Sequence, residues 1–165
     1  MMMLRVVLML LVLYSTPTSL EIGAPIAGLT AAGLRDTFDE AHSGHPHEAI
    51  DIPSPLGTPV HAVVSGIIRK LFLSKAGGIT IYQFDSKDQY CYYYAHLQRY
   101  ADGMREGMRV ERGDVIGFVG STGNADTRWP HLHFAIYKLS EEKKWWQGEA
   151  LNPYAALIEA VKKAH

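Results

Sequence analysis

From Pro59 onward, short apolar runs alternate with clusters of Gly, Ser, Asn and Asp, the spacing of an antiparallel β domain. Val60 to Leu73 is rich in Val, Ile and Leu, and SKAGG (Ser74 to Gly78) is a hairpin-type loop leading into Ile79 to Phe84. A turn over Asp85 to Gln89 precedes a run from Tyr90 to Leu97, and GSTGN (Gly120 to Asn124) separates Val115 to Val119 from His131 to Lys138. Two helices are expected. Ile26 to Phe38 suits a short helix ending in a turn, weakened by Gly28 and Gly33. At the tail Asn152 can cap, Pro153 suits the first helical position, and Leu157, Ile158 and Val161 recur on one face. The pattern predicts a mainly β protein, a compact antiparallel sheet or sandwich with a C-terminal helix.

The N-terminus differs in kind. A single cation, Arg5, precedes an apolar run from Val6 to Tyr14 and then small and polar residues near Thr16 to Ser19, the outline of a secretory signal peptide over residues 1–20. The run is shorter than the roughly 20 residues a membrane-crossing helix needs, and no cysteine follows it to carry a lipid anchor. Residues 21–165 show no linker, charge block or internal repeat, which predicts one mature domain without a stable membrane span.

Within the run HLHFAIYK, strand alternation sends Leu132, Phe134 and Ile136 to one face and His131, His133 and Tyr137 to the other. The apolar trio marks the core face, so both histidines face a groove. Alternation does not choose between them as ligands. A second cluster, AHSGHPHEAID, holds His42, His45, His47 and Asp51. In a straight strand residues four apart are separated by about 13 Å, so His47 and Asp51 meet at one ion only if the chain bends between them. Composition narrows the donors. The single Cys91 excludes a disulfide framework or a multi-cysteine metal site, whereas eight histidines are available. With 16 Lys and Arg against 17 Asp and Glu, no surplus of positive charge exists for a phosphate backbone or an acidic membrane surface, so nucleic acid is not the expected partner. With a bend, His47, Asp51 and one histidine of H-x-H give three ligands and an open fourth position, the arrangement of a catalytic rather than a structural zinc site.

The order His47 and Asp51, then YAHL (Tyr94 to Leu97), RGDVIGFVGSTGN (Arg112 to Asn124) and HLHF (His131 to Phe134) resembles the lysostaphin-type, or LytM-type, zinc endopeptidases of bacterial cell walls. The likeness spans about Asp36 to Tyr137. It implies that His47, Asp51 and His133 bind one Zn²⁺ per chain and that His96 and His131 are catalytic. It further implies a compact β domain with the metal in an open groove, acting on stem peptides or cross-bridges of peptidoglycan in the periplasm or outside the cell, as a monomer. Two positions depart from the pattern: Ala49 stands where the family usually has Gly two residues after the first ligand, and His45 where it often has Arg two residues before it.

Two other function classes fit parts of the sequence. Proteins of this type that have lost ligands act as silent activators of other wall hydrolases, and the full set of five residues argues against that. A metal-buffering protein would use its histidines as chelators and would carry methionine clusters, whereas Met104 and Met108 are the only methionines beyond the N-terminal segment. Simple alternation through Tyr90 to Leu97 places Tyr90, Tyr92, Tyr94 and His96 on one face and Cys91, Tyr93, Ala95 and Leu97 on the other. The first set then either lines a peptide groove or forms a cross-strand ladder. Cys91 is expected to be a buried or half-buried thiol without a role, RGD (Arg112 to Asp114) a turn, Trp145 and Trp146 packing residues or glycan contacts, and His42, His61 and His165 surface histidines.

Overall fold

The computed structural model describes residues 20–42 and 44–164; apart from Leu20, the expected signal peptide lies outside the described residues, as does His165. Eleven strands are described: β1 (Ala41–His42), β2 (His45–Pro46), β3 (Ile50–Pro53), β4 (Pro59–His61), β5 (Gly66–Ser74), β6 (Gly78–Asp85), β7 (Tyr90–Tyr100), β8 (Arg109–Val110), β9 (Val115–Val119), β10 (His131–Leu139) and β11 (Gly148–Leu151). A helix, α1 (Tyr154–Lys163), closes the chain. β1 and β2 form a small hairpin, and the described residues otherwise build one nine-stranded sheet with every pairing antiparallel.

The sheet branches. β7 pairs with β6 along one edge, while its other edge is shared in sequence by β10, over Tyr90 to Ala95, and by β9, over Leu97 to Tyr100. β10 likewise divides its outer edge between β3 and β11. The handover on β7 falls at His96, where the register shifts against β6 and the backbone enters the left-handed region at φ 59°; against β9 the shift comes just after, between Leu97 and Arg99. A strand serving two partners on one edge needs an irregularity between them, and a β-bulge provides it.

The main core follows from the alternation in β10: Leu132, Phe134 and Ile136 are fully buried against Ile50 and Ile52 of β3, Tyr94 and Leu97 of β7 and Leu157 and Val161 of α1. The helix starts as its sequence predicts, with Asn152 Oδ1 accepting the Tyr154 backbone N–H at 2.9 Å. On the opposite face a smaller cluster forms around Phe84, Cys91 and Leu139, covered by Tyr82, Tyr137 and Trp145. Trp146 is 62% exposed.

Two local expectations are corrected. Residues 26–38 form no α-helix, only a 3-10 turn at Ala31–Gly33. Gly28 takes φ 72°, and the chain before it is irregular, exchanging backbone hydrogen bonds with Val63 and His61 and burying Ile22 and Ile26. Tertiary burial overrides a weak helical preference there. The β-rich stretch Val60 to Leu73 holds two strands, β4 and β5, which pair with different neighbours, and is β as its composition predicts. The simple alternation through β7 fails at His96. The bulge lets Ala95 and His96 both join Tyr93 at the groove, while Tyr92, Tyr94 and Leu97 all enter the main core. Tyr94 is fixed there by its hydroxyl, which donates to Gln83 Oε1 at 2.8 Å and accepts the Val63 N–H at 3.1 Å.

Candidate metal centre

Asp51 and His133 lie opposite one another in the β3–β10 register, so their side chains leave the same face of the sheet as direct cross-strand neighbours. His47 reaches them through the bend that its spacing to Asp51 requires. The bend turns at Glu48, whose φ is 56°. Ala49 is not in the left-handed region and is fully buried, so its methyl, where the resembled family usually has Gly, carries no backbone penalty. The His45 side chain lies outside the described structure.

Thr37, buried ahead of the β1–β2 hairpin, ties this corner together. Its carbonyl meets His47 Nδ1 at 3.1 Å, its hydroxyl donates to the Ala49 carbonyl at 3.2 Å, and the same hydroxyl accepts the Asp51 N–H at 3.1 Å. A carbonyl can only accept, so Nδ1 of His47 carries a proton and Nε2 is the atom turned toward Asp51 and His133. Two further histidines are held in the same way: His96 Nδ1 donates to Thr122 O at 2.8 Å, and His131 Nδ1 to Trp129 O at 2.9 Å.

Three atoms converge. His47 Nε2 lies 3.1 Å from His133 Nδ1 and 3.2 Å from Asp51 Oδ1, and the last two are 3.1 Å apart. Donors around a tetrahedral Zn²⁺ with bonds of about 2.0–2.1 Å are separated by about 3.3 Å, so the near-equilateral triangle has the size such an ion needs. Two imidazole nitrogens and one carboxylate oxygen are also the donor chemistry of that ion, and the three residues are able to hold it. His131 stands further off, its Nε2 3.7 Å from Asp51 Oδ1, and its ring contacts that of His96 at a centroid separation of 4.9 Å. The geometry thus separates the two histidines of H-x-H, which alternation alone does not.

Charge follows from surroundings. Burial alone would raise the Asp51 carboxyl, but hydrogen bonds from His133 and His47 outweigh it and hold the group well below the usual carboxylate range. The hydrogen bond to Asp51 raises His47, while burial lowers His133. His96 is only 6% exposed, and burial lowers its pKa to about 4, so its imidazole is neutral at pH 7. All five residues line one groove of about 530 Å³, walled by Tyr93, Tyr137 and Asp126. The sequence pattern assigns no site role to Thr37 or Thr122, and simple alternation puts Tyr93 on the face away from His96. Thr122 sits inside the GSTGN turn, whereas nothing local marks Thr37. Elsewhere, His61 Nδ1 meets Gly113 O at 2.8 Å, and RGD forms the expected turn, with the Asp114 N–H donating to Glu111 O.

The fold and the site together define an antiparallel β protein with a candidate mononuclear metal centre open to a groove. Residues 45–153 match Peptidase family M23, and the chain belongs to that family. It is 35% identical over 145 residues to the L-Ala–D-Glu endopeptidase of Bacillus subtilis, covering 83% of this chain and 43% of that protein. It is also 35% identical over 88 residues to the peptidoglycan DD-endopeptidase ShyC of Vibrio cholerae, covering 53% of this chain and 19% of that one. The catalytic domain of the antimicrobial peptidase lysostaphin from Staphylococcus simulans superposes with a TM-score of 0.60 at 28% identity, over 84% of this chain and 89% of that domain. The chain therefore spans less than half the length of these two curated relatives. Among the described residues no helix is long and apolar enough to cross a membrane.

Proposed function

We propose that the protein is a zinc-dependent endopeptidase hydrolysing peptide bonds in bacterial peptidoglycan, exported by residues 1–20 and acting as a monomer in the periplasm or outside the cell. The observation that carries this reading is the triangle of His47 Nε2, Asp51 Oδ1 and His133 Nδ1, with His96 and His131 beside it in an open groove. The relatives named for cutting peptidoglycan peptides support the substrate class.

His47, Asp51 and His133 would hold the ion. When bound there, Zn²⁺ supplies Lewis acidity that polarises a scissile carbonyl and acidifies a water. The chain supplies the proton handling. His96 and His131 each donate Nδ1–H to a backbone carbonyl, so each turns Nε2 away from that anchor. One of the two takes the proton of the attacking water and passes it to the leaving amine; the other, when protonated, donates a hydrogen bond to the developing oxyanion. The Asp51 carboxylate lowers the net charge of the site without donating a proton, since its carboxyl is ionised throughout the neutral range.

Zinc content per chain, together with digestion of purified peptidoglycan with and without chelator, tests the reading. About one zinc and chelator-sensitive release of peptide fragments is the expected result, and the fragment masses name the bond. Zinc without hydrolysis would turn the assignment to a silent activator, and no zinc would overturn the site.

A further inference from the structure

We propose that Thr122 is the positioning residue for His96, acting through both its carbonyl and its hydroxyl. The inference rests on His96 taking part in the proposed hydrolysis. His96 sits at a bulge, in a left-handed conformation unusual for a non-glycine residue, where strand pairing alone does not fix the direction of the ring. Four hydrogen bonds do. The His96 backbone N–H donates to Gly77 O at 2.8 Å, and its Nδ1–H to Thr122 O at 2.8 Å. The Thr122 hydroxyl then donates to Leu97 O at 2.7 Å and accepts the Ile79 N–H at 3.0 Å. One hydroxyl thereby joins the turn that carries the acceptor to the residue after His96 and to the strand that pairs with it.

The two turns around this hydroxyl interlock without room for adjustment. A Cβ on Gly78 would collide with Thr122 Oγ1, and one on Gly123 with the carbonyl of Ala76; both glycines also have positive φ, at 65° and 76°. The Asn124 N–H donates to Ala76 O at 2.9 Å across the same contact. The loop Ser74 to Gly78 and the loop Gly120 to Asn124 are therefore one rigid unit, and the His96 ring hangs from it with Nε2 free for the groove. Valine at position 122 keeps the shape of threonine but strands the Ile79 N–H and the Leu97 carbonyl, so the carbonyl that accepts His96 Nδ1–H loses its fixed place. Serine keeps the hydroxyl.

The test compares wild type with Thr122→Val and Thr122→Ser. In the wild type, ¹⁵N-edited NMR of the metal-free protein should show His96 as the Nδ1–H tautomer with a slowly exchanging proton. That signal should broaden or exchange at least tenfold faster in Thr122→Val and return in Thr122→Ser. With zinc loaded, Thr122→Val should retain one ion per chain while its kcat on peptidoglycan-derived peptides falls at least tenfold with little change in KM, and Thr122→Ser should recover to within about threefold. An Nε2–H tautomer of His96 in the wild type would overturn the proposal even if Thr122→Val does not fold. So would a serine variant as impaired as the valine one, or a folded valine variant with unchanged kcat and an intact Nδ1–H signal. A wild type that cuts no peptide would defeat the hydrolase reading alone, because the tautomer and exchange measurements need no activity.

Discussion

Replacing His133 and replacing His96 by alanine should have opposite signatures, because in the proposed mechanism one residue holds the metal and the other only its proton traffic. With free zinc at 100 times its dissociation constant, a bound ion stabilises the native state by about 2.7 kcal/mol. His133 Nδ1 forms two of the three short edges of the donor triangle, to His47 Nε2 and to Asp51 Oδ1, each at 3.1 Å. Loss of an outer hydrogen-bond partner alone weakens a metal site about 10–100-fold, so loss of this ligand weakens it by at least about 100-fold. At the same zinc concentration the remaining stabilisation is then no more than about 0.4 kcal/mol. For a domain of this size each kcal/mol moves Tm by about 2–4 °C, so the zinc-dependent shift of about 5–11 °C in wild type should shrink to under about 2 °C in H133A. His96 lies outside the triangle, so H96A should keep the full shift while kcat falls about 10²–10⁴-fold, the usual contribution of a general acid or base. Differential scanning fluorimetry with and without chelator, paired with turnover of a peptidoglycan-derived peptide, reads both quantities. A full zinc-dependent shift in H133A, or its loss in H96A, would refute the division of roles.

Thr37→Val removes the hydroxyl shared by Asp51 N–H and the Ala49 carbonyl and should weaken zinc about 10–100-fold, measured by competition with a chromogenic chelator. Tyr94→Phe leaves the buried Gln83 side chain and Val63 N–H short of a partner and should cost about 2 kcal/mol, seen as a Tm lower by about 4–8 °C. His96 has a folded pKa of about 4 against an ordinary 6.5, so between those values the unfolded chain binds a proton that the native one refuses. Its contribution is intact above about pH 6.5 and lost as pH falls through the window, about 2 kcal/mol at pH 5. Urea titrations of the metal-free protein at pH 7 and pH 5 should therefore show a smaller acid loss for His96→Asn than for wild type, and equal losses would refute the assignment. Burial pushes the Cys91 thiol well above its ordinary range, so a disulfide reagent at pH 8 should label it at the rate of unfolding in native buffer and at once in guanidinium.

The parts of the fold legible in the sequence were those where one residue's place fixes the next. β10 could be read because Leu132, Phe134 and Ile136 alternate without interruption from His131, and β9 because Gly120 ends it where its apolar run stops. β3 and β11 were missed: each is four residues long and defined by the edge of β10 it occupies, which no local pattern records. The helix expected over Ile26 to Phe38 failed because burying Ile22, Ile26 and Leu34 along an irregular, turning path outweighs a sequence already broken by two glycines. At the site, strand geometry supplied the need for a bend between His47 and Asp51 but not its place. Glu48, at φ 56°, carries none of the usual signs of a left-handed residue.

The same limit explains the misread face of β7, and it bears on how the groove is made. Period-2 counting assumes an unbroken ladder, and by that count His96 shares a face with Tyr94, which is in the core. A left-handed residue at His96 costs about 1–3 kcal/mol and reverses the count, so that Tyr93, Ala95 and His96 all reach the groove while Leu97 returns to the core. The bulge also falls where β7 passes from β10 to β9, which places His96 against β10 near its first residues, His131 and His133. Hydrogen bonds from His96 to the Gly77 and Thr122 carbonyls, and from the Thr122 hydroxyl to the Leu97 carbonyl, hold the strain in place. The irregularity that defeats a reading by alternation is thus the feature that assembles two strands' histidines at one centre, and its cost is met by turns whose glycines, unlike the bulge itself, are visible in the sequence.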